Sequence, residues 1–120
     1  MNEYHVVFYA TSTGKEPAKE FIESLPTRAK AKALRDLSLL QEVGPGLREP
    51  FSKHMADGVF ELRVNAGGDA ARMFYFFFSG QQIVITNGFL KKTQKTPPRE
   101  LARALKYKKD WEVRHRGNVS

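Results

Sequence analysis

Gly58-Val59-Phe60-Glu61-Leu62-Arg63-Val64, Asn65-Ala66-Gly67-Gly68-Asp69 and Arg72-Met73-Phe74-Tyr75-Phe76-Phe77-Phe78 make up the stretch on which the fold turns. In its first part Phe60, Leu62 and Val64 alternate with Glu61 and Arg63. Side chains along a strand point to opposite faces in turn, so this segment is expected to bury one face and present charge on the other. Asn65 to Asp69 is a polar, glycine-containing turn, longer than the tight two-residue hairpin type. The run from Arg72 to Phe78 is too aromatic and too short for a surface helix. After the break at Ser79-Gly80, Ile83-Val84-Ile85-Thr86 supplies a third, β-branched strand, which ends at Asn87-Gly88-Phe89 with Lys91 and Lys92 directly behind it. Three antiparallel strands therefore carry Arg63, Arg72 and a lysine pair on an otherwise apolar sheet.

Working outward, Tyr4 to Tyr9 reads as a first strand, ended by the small polar residues Ala10 to Gly14. Lys15 to Leu25 is helical, with Ala18, Phe21, Ile22 and Leu25 recurring at helical spacing. Pro26 separates it from a second helix, Thr27 to Val43, whose apolar side is expected to be Leu34, Leu37, Leu40 and Val43, with Asp36 among the outward residues. The short link makes these two helices a hairpin lying across the sheet. Gly44-Pro45-Gly46 stops the second helix. Leu47 to Asp57 has no clear periodicity and room for one short strand; it carries Lys53 and His54. Beyond the loop Thr93 to Pro98, a last helix has Leu101, Ala102, Ala104, Leu105 and Trp111 as apolar positions among many cations. The fold class is α+β: an N-terminal strand and helical hairpin packed on a small antiparallel sheet, with a C-terminal basic helix. Residues 1–113 form one domain and residues 114–120 are expected to be a mobile basic tail.

A chain of 120 residues can bury one core without metal or disulfide staples. It has no cysteine, which excludes structural disulfides, thiolate metal sites and a thiol nucleophile. No apolar run is long enough to span a bilayer and no secretory apolar region stands at the N-terminus, so no membrane partner is expected and the default compartment is the cytoplasm. The net charge of +7 is unevenly distributed. Residues 1–90 balance ten Lys/Arg against ten Asp/Glu, whereas residues 91–120 hold ten against three. Such a basic segment implies an acidic partner or a solubilising tail.

His5, His54 and His115 are not spaced as metal ligands and no carboxylate pair joins them, so neither metal nor cofactor is expected. Gly67-Gly68 lacks the pattern of a phosphate-cradling loop and reads as a turn. The aromatic run admits two readings, a core strand or a platform on which bases stack. The cations carry more. Arg63, Arg72, Lys91 and Lys92 gathered on one face would bind a phosphate, since guanidinium groups grip it bidentately. A structural role, with Arg63 paired to Glu61 or Asp69 and Arg72 to Asp69, accounts for the arginines alone. His54, beside Lys53, is a second candidate proton carrier.

Phe60-Glu61-Leu62-Arg63, then Ala71-Arg72-Met73-Phe74-Tyr75-Phe76-Phe77, then Gly88-Phe89-Leu90-Lys91-Lys92-Thr93-Gln94-Lys95-Thr96-Pro97 resemble, in that order, the RelE/ParE toxin superfamily, and within it the phage-derived, HigB-like branch. The Lys-Lys-Thr-Gln-Lys-Thr-Pro string is the most specific part, and the helical hairpin extends the likeness over nearly the whole chain. The resemblance implies a RelE-like fold and the toxin of a type II toxin–antitoxin pair, an endoribonuclease that cuts messenger RNA on the ribosome. It implies a helix-turn-helix antitoxin as partner. Arg63 and Arg72 match the arginines taken to hold the scissile phosphate, and Lys91 and Lys92 match the cationic pair after the last strand. Lys53, His54, Lys95, Arg99 and Arg103 are the expected further RNA contacts. Asn87 departs from relatives that often have histidine before Gly-Phe, which leaves the general base open among Lys91, Lys92, Lys53 and His54. Two other functions fit the same residues: a ParE-like inhibitor of DNA gyrase that acts by binding, and a non-catalytic basic nucleic-acid-binding module.

Overall fold

The computed structural model describes residues 3–116. In chain order it contains β1 (His5–Phe8), α1 (Pro17–Ser24), α2 (Thr27–Val43), a 3-10 turn at Gly44–Gly46, β2 (Ser52–Ala56), β3 (Val59–Ala66), β4 (Asp69–Phe78), β5 (Gln82–Leu90) and α3 (Pro98–Arg116). The strands form one sheet in the order β1-β5-β4-β3-β2. The expected antiparallel core is there, and β2 extends it along one edge. At the other edge β1 runs parallel to β5, which makes the sheet mixed rather than purely antiparallel. A parallel pair needs a long connection, and everything between the two strands supplies it.

Both faces of the sheet are covered, which explains an aromatic strand without polar alternation. Leu62, Val64, Met73, Tyr75, Ile83 and Ile85 pack under α1 and α2. On the other face Phe76 and Val84 meet Trp111 of α3, and Val59, Phe74 and Phe89 meet Ala104. Phe74 and Phe76 are 0% and 1% exposed, so the core reading holds and neither ring is free to stack on a base. Full burial of each such ring contributes about 2–3 kcal/mol.

The buried stripe of α2 is Ala29, Ala33, Asp36, Leu37 and Leu40, not the expected leucine row. Leu34 and Val43 are exposed. Small alanines let the helix lie close to the sheet, and that choice rotates Leu34 outward. Asp36, expected outside, is buried with both oxygens 2.7 Å from Lys32 Nζ. Ala66 pairs with Asp69, so the β3–β4 connection is the tight two-residue turn Gly67-Gly68, with Gly67 at φ +61°. Glycine takes that left-handed conformation without the steric cost of a Cβ. α3 continues through Arg114, His115 and Arg116, so this part of the expected tail is helical; residues 117–120 lie outside the described residues.

A bulge in β5 shifts its register against β4: Tyr75 faces Ile85, but Met73 faces Gly88. The extra residue lies at Thr86-Asn87, and both side chains are buried. Asn87 Nδ2 donates to the Glu100 carbonyl at 3.3 Å, tying the start of α3 to the end of β5. From there the loop Lys91–Pro97 must cross the charged end of the sheet.

Candidate active site

The β3–β4 register sets Arg63 directly opposite Arg72, hence on the same sheet face. Like charges so placed repel, and what offsets them is the side chain two residues earlier on that face. Glu61 is 1% exposed; its Oε1 lies 3.8 Å from Arg63 Nε and 4.0 Å from Arg72 Nε. These are charge contacts rather than hydrogen bonds, and both Nε atoms are buried without an acceptor among the described residues. Arg72 Nη1 donates to Asn65 Oδ1 at 3.0 Å and to the Ala71 carbonyl at 2.9 Å. Arg63 Nη1 reaches the exposed Glu49 at 3.4 Å. Burial pulls the Arg72 guanidinium below its ordinary pKa, Glu61 pushes it back up, and Arg63 lowers it.

Asp69, considered as a partner for either arginine, forms no ion pair among those described; Glu61 and Glu49 take that part.

Lys91 leaves β5 with its backbone N–H on the Ala70 carbonyl at 2.7 Å. At the far end of the same loop Thr96 Oγ1 donates to Glu61 Oε2 at 2.5 Å. The loop thus bridges the arginine pair, and two adjoining hollows open along it, of about 430 and 250 Å³. They share Lys91 and Gln94. Arg72 and Lys92 line the first; Lys53, Arg63 and Lys95 line the second, above Glu61. One cleft therefore gathers all four expected phosphate-binding residues, together with Lys53 and Lys95. It can hold a chain of phosphates and stabilise charge that develops on one of them.

The other three candidates stand apart. His54 follows Lys53 along β2 and so faces the opposite side of the sheet, edge-on to Phe60 with centroids 5.2 Å apart. Its Nε2 accepts the Gly58 N–H at 3.2 Å, and it lines a separate hollow with Arg48 and Glu49. Arg103 Nη1 is 3.8 Å from Glu100 Oε1 on α3, and neither Arg99 nor Arg103 lines the arginine cleft. Reasoning from sequence missed Asn65, Glu49 and Thr96 as cleft-shaping residues. Asn65 was within reach, since alternation from Arg63 puts it on the same face.

Among the described residues no group of three His, Cys, Asp or Glu side chains could hold a metal ion, and no helix is long and apolar enough to cross a membrane.

The family model described as phage-derived protein Gp49-like matches residues 20–109, which include most of the helical hairpin, both arginines and the lysine loop. No curated protein matches the chain. Among solved structures it is similar to a chain in the crystal structure of the archaeal RelE–RelB complex from Pyrococcus horikoshii OT3, at 20% identity and a TM-score of 0.48, over 78% of this chain and 99% of that one. Matched over most of its length, with the motif residues in the expected order, the chain belongs to the phage-derived Gp49-like family.

Proposed function

We propose that this protein is the toxin of a toxin–antitoxin pair, an endoribonuclease that cuts messenger RNA on the ribosome using the 2′-OH of the RNA itself as the nucleophile. The observation that carries this reading is the register pairing of Arg63 with Arg72 beside Lys91 and Lys92 in one cleft. When a 2′-OH attacks the adjacent phosphate, its proton leaves and the bond to the 5′-oxygen breaks. The leaving oxygen takes up a proton, and a 2′,3′-cyclic phosphate remains upstream. The protein must orient the nucleotide, neutralise the added negative charge and carry two protons. The arginine pair meets the first two needs. A preorganised donor aimed at developing charge is worth about 3–4 kcal/mol. Lys91, Lys92 and Lys53 line the cleft and are the candidates for proton transfer. His54, on the other face, is not.

We further propose that a small helix-turn-helix antitoxin restrains the protein by covering the basic rim. The decisive experiment is induction in growing bacteria, with new RNA 5′ ends and plasmid supercoiling followed together. The expected result is codon-linked RNA ends before any change in supercoiling. Relaxed plasmid with intact messages would instead identify a gyrase inhibitor, and neither change would identify a binding module.

A further inference from the structure

We propose that Glu61 is the positioning residue of the cleft. Its one buried carboxylate fixes the separation and orientation of the two guanidinium groups, and through Thr96 it anchors the loop that bears Lys91, Lys92 and Lys95. The catalytic consequence rests on the ribonuclease reading; the geometric one does not.

The two oxygens of Glu61 serve different partners. Oε1 lies between the Nε atoms of Arg63 and Arg72, and Oε2 accepts the Thr96 hydroxyl. A carboxylate present only to neutralise an arginine would close on it bidentately, at about 2.7–2.9 Å. Here both guanidiniums stay 3.8 and 4.0 Å away, turned by their Nε edges toward one shared charge. That arrangement balances the pair without occupying either one. Neutralising both fully would cancel the charge a phosphate needs. With no carboxylate, two cations in register would push apart.

Thr96 gives the same carboxylate a second role. Among the described residues its bond to Glu61 is the one side-chain hydrogen bond from the loop Lys91–Pro97 to the sheet, whereas Thr93 Oγ1 bonds within the loop to the Lys95 carbonyl at 2.9 Å. The loop is pinned at its start by the Lys91 backbone and near its end by Thr96. The reach of the three lysines between those pins depends on both. Glu61 also lies in register with Lys53 on β2, so the carboxylate is central to the cleft's cations.

Glu61→Gln keeps the size and an oxygen for Thr96 but removes the charge between the arginines. Cleavage of RNA on translating ribosomes and the ¹⁵N resonances of the Arg63 and Arg72 Nε–H groups are measured on the same folded protein, with melting temperature as control. The expected result is a fall in kcat of about tenfold or more, as misplacement of catalytic groups produces, with KM unchanged or lower because the cleft gains positive charge. Both arginine resonances should shift and exchange faster. Thr96→Val should lower kcat while leaving those resonances close to wild type, and Thr96→Ser should restore the rate. A Glu61→Gln protein with wild-type kcat and unmoved resonances overturns the proposal, as does one that cuts faster, which would make Glu61 a damping charge only. Should Glu61→Gln not fold, wild-type kcat in Thr96→Val overturns the anchor. If the wild-type protein cuts no RNA yet the resonances move as stated, the ribonuclease reading fails and the positioning role stands.

Discussion

Arg63 and Arg72 stand in register on neighbouring strands, and the buried carboxylate of Glu61 faces the Nε atoms of both. An apolar sheet does not gather two guanidiniums at one end for stability. Burial already pulls the Arg72 pKa down, a sign that its charged form is held at a cost.

Removing either arginine should therefore damage activity far more than fold. Arg63→Ala and Arg72→Ala are expected to lower cleavage by about 10²–10³-fold, with growth arrest relieved and melting still cooperative. Arg72→Lys should be nearly as damaging as Arg72→Ala, because a point charge cannot reproduce the planar fork that also bonds Asn65. Two folded, fully toxic alanine variants would refute the phosphate clamp.

The products should bear the mark of the nucleophile. Cleavage is expected to leave a 2′,3′-cyclic phosphate or 3′-phosphate upstream and a 5′-hydroxyl downstream. A message with a single 2′-deoxy nucleotide at the cut site should resist cutting yet bind nearly as well, since the phosphate contacts remain. End analysis that finds 5′-phosphates, or cutting of the deoxy-substituted message, would require another mechanism.

Restraint by the proposed antitoxin should run through the lysine loop. The antitoxin complex is expected to protect Lys91 and Lys92 from amine-reactive labelling, and its affinity should fall steeply with salt. Unchanged labelling in the complex would move the contact elsewhere.

Tyr9 should give the fold an alkaline limit. Its hydroxyl donates to Asp110 Oδ2 at 2.6 Å, fastening α3 to the end of β1. Burial, then the Asp110 bond and charge, push the Tyr9 pKa up to about 12, against the pull of Arg114. A raised folded pKa means the contribution is whole below pH 10 and lost as pH climbs toward 12. Tyr9→Phe should cost about 1 kcal/mol near neutrality, and its deficit should shrink above pH 10 in denaturant titrations. At the acid end the Tyr9 bond holds the Asp110 carboxyl below the usual range. The deficit of Asp110→Asn should therefore persist through pH 4 and close only as pH falls through that lowered value. A deficit constant across pH would mean that the contribution of the pair is not linked to the titration of either group.

Gly88 should tolerate no side chain. A Cβ there would clash with the Phe21 ring edge and lie 3.0 Å from the Arg72 carbonyl oxygen. Gly88→Ala is expected to cost about 1–3 kcal/mol, read as a lower urea midpoint with unchanged slope. An unshifted midpoint would show that α1 lifts freely from β5.

Periodicity made α2 legible in full, Thr27 to Val43, because seventeen residues give a helical pattern several turns in which to declare itself. β3, β4 and β5 were legible from alternation and turn residues, and alternation together with antiparallel pairing could bring Arg63 and Arg72 toward one face. Pairing at the edges was not. Nothing local to His5–Phe8 announces a parallel partner in β5. His54 was grouped with Lys53 because they are adjacent, and only once β2 exists does adjacency become separation across a sheet. The helical pattern of Leu34 likewise could not reveal that small alanines would be chosen as the contact stripe. Contacts between distant segments decided each of these outcomes.

The parallel pairing of β1 with β5 also governs when the cleft comes into being. Residue 5 finds its partner at residue 82, so β1 leaves the ribosome long before the strand it joins. At about 5–20 residues per second, that interval is roughly 4–15 s, spent with an unpaired strand. Such distant pairing folds slowly, and the loop that completes the cleft is made later still. The nascent chain therefore carries no complete cleft until β5 and the lysine loop behind it have both been made.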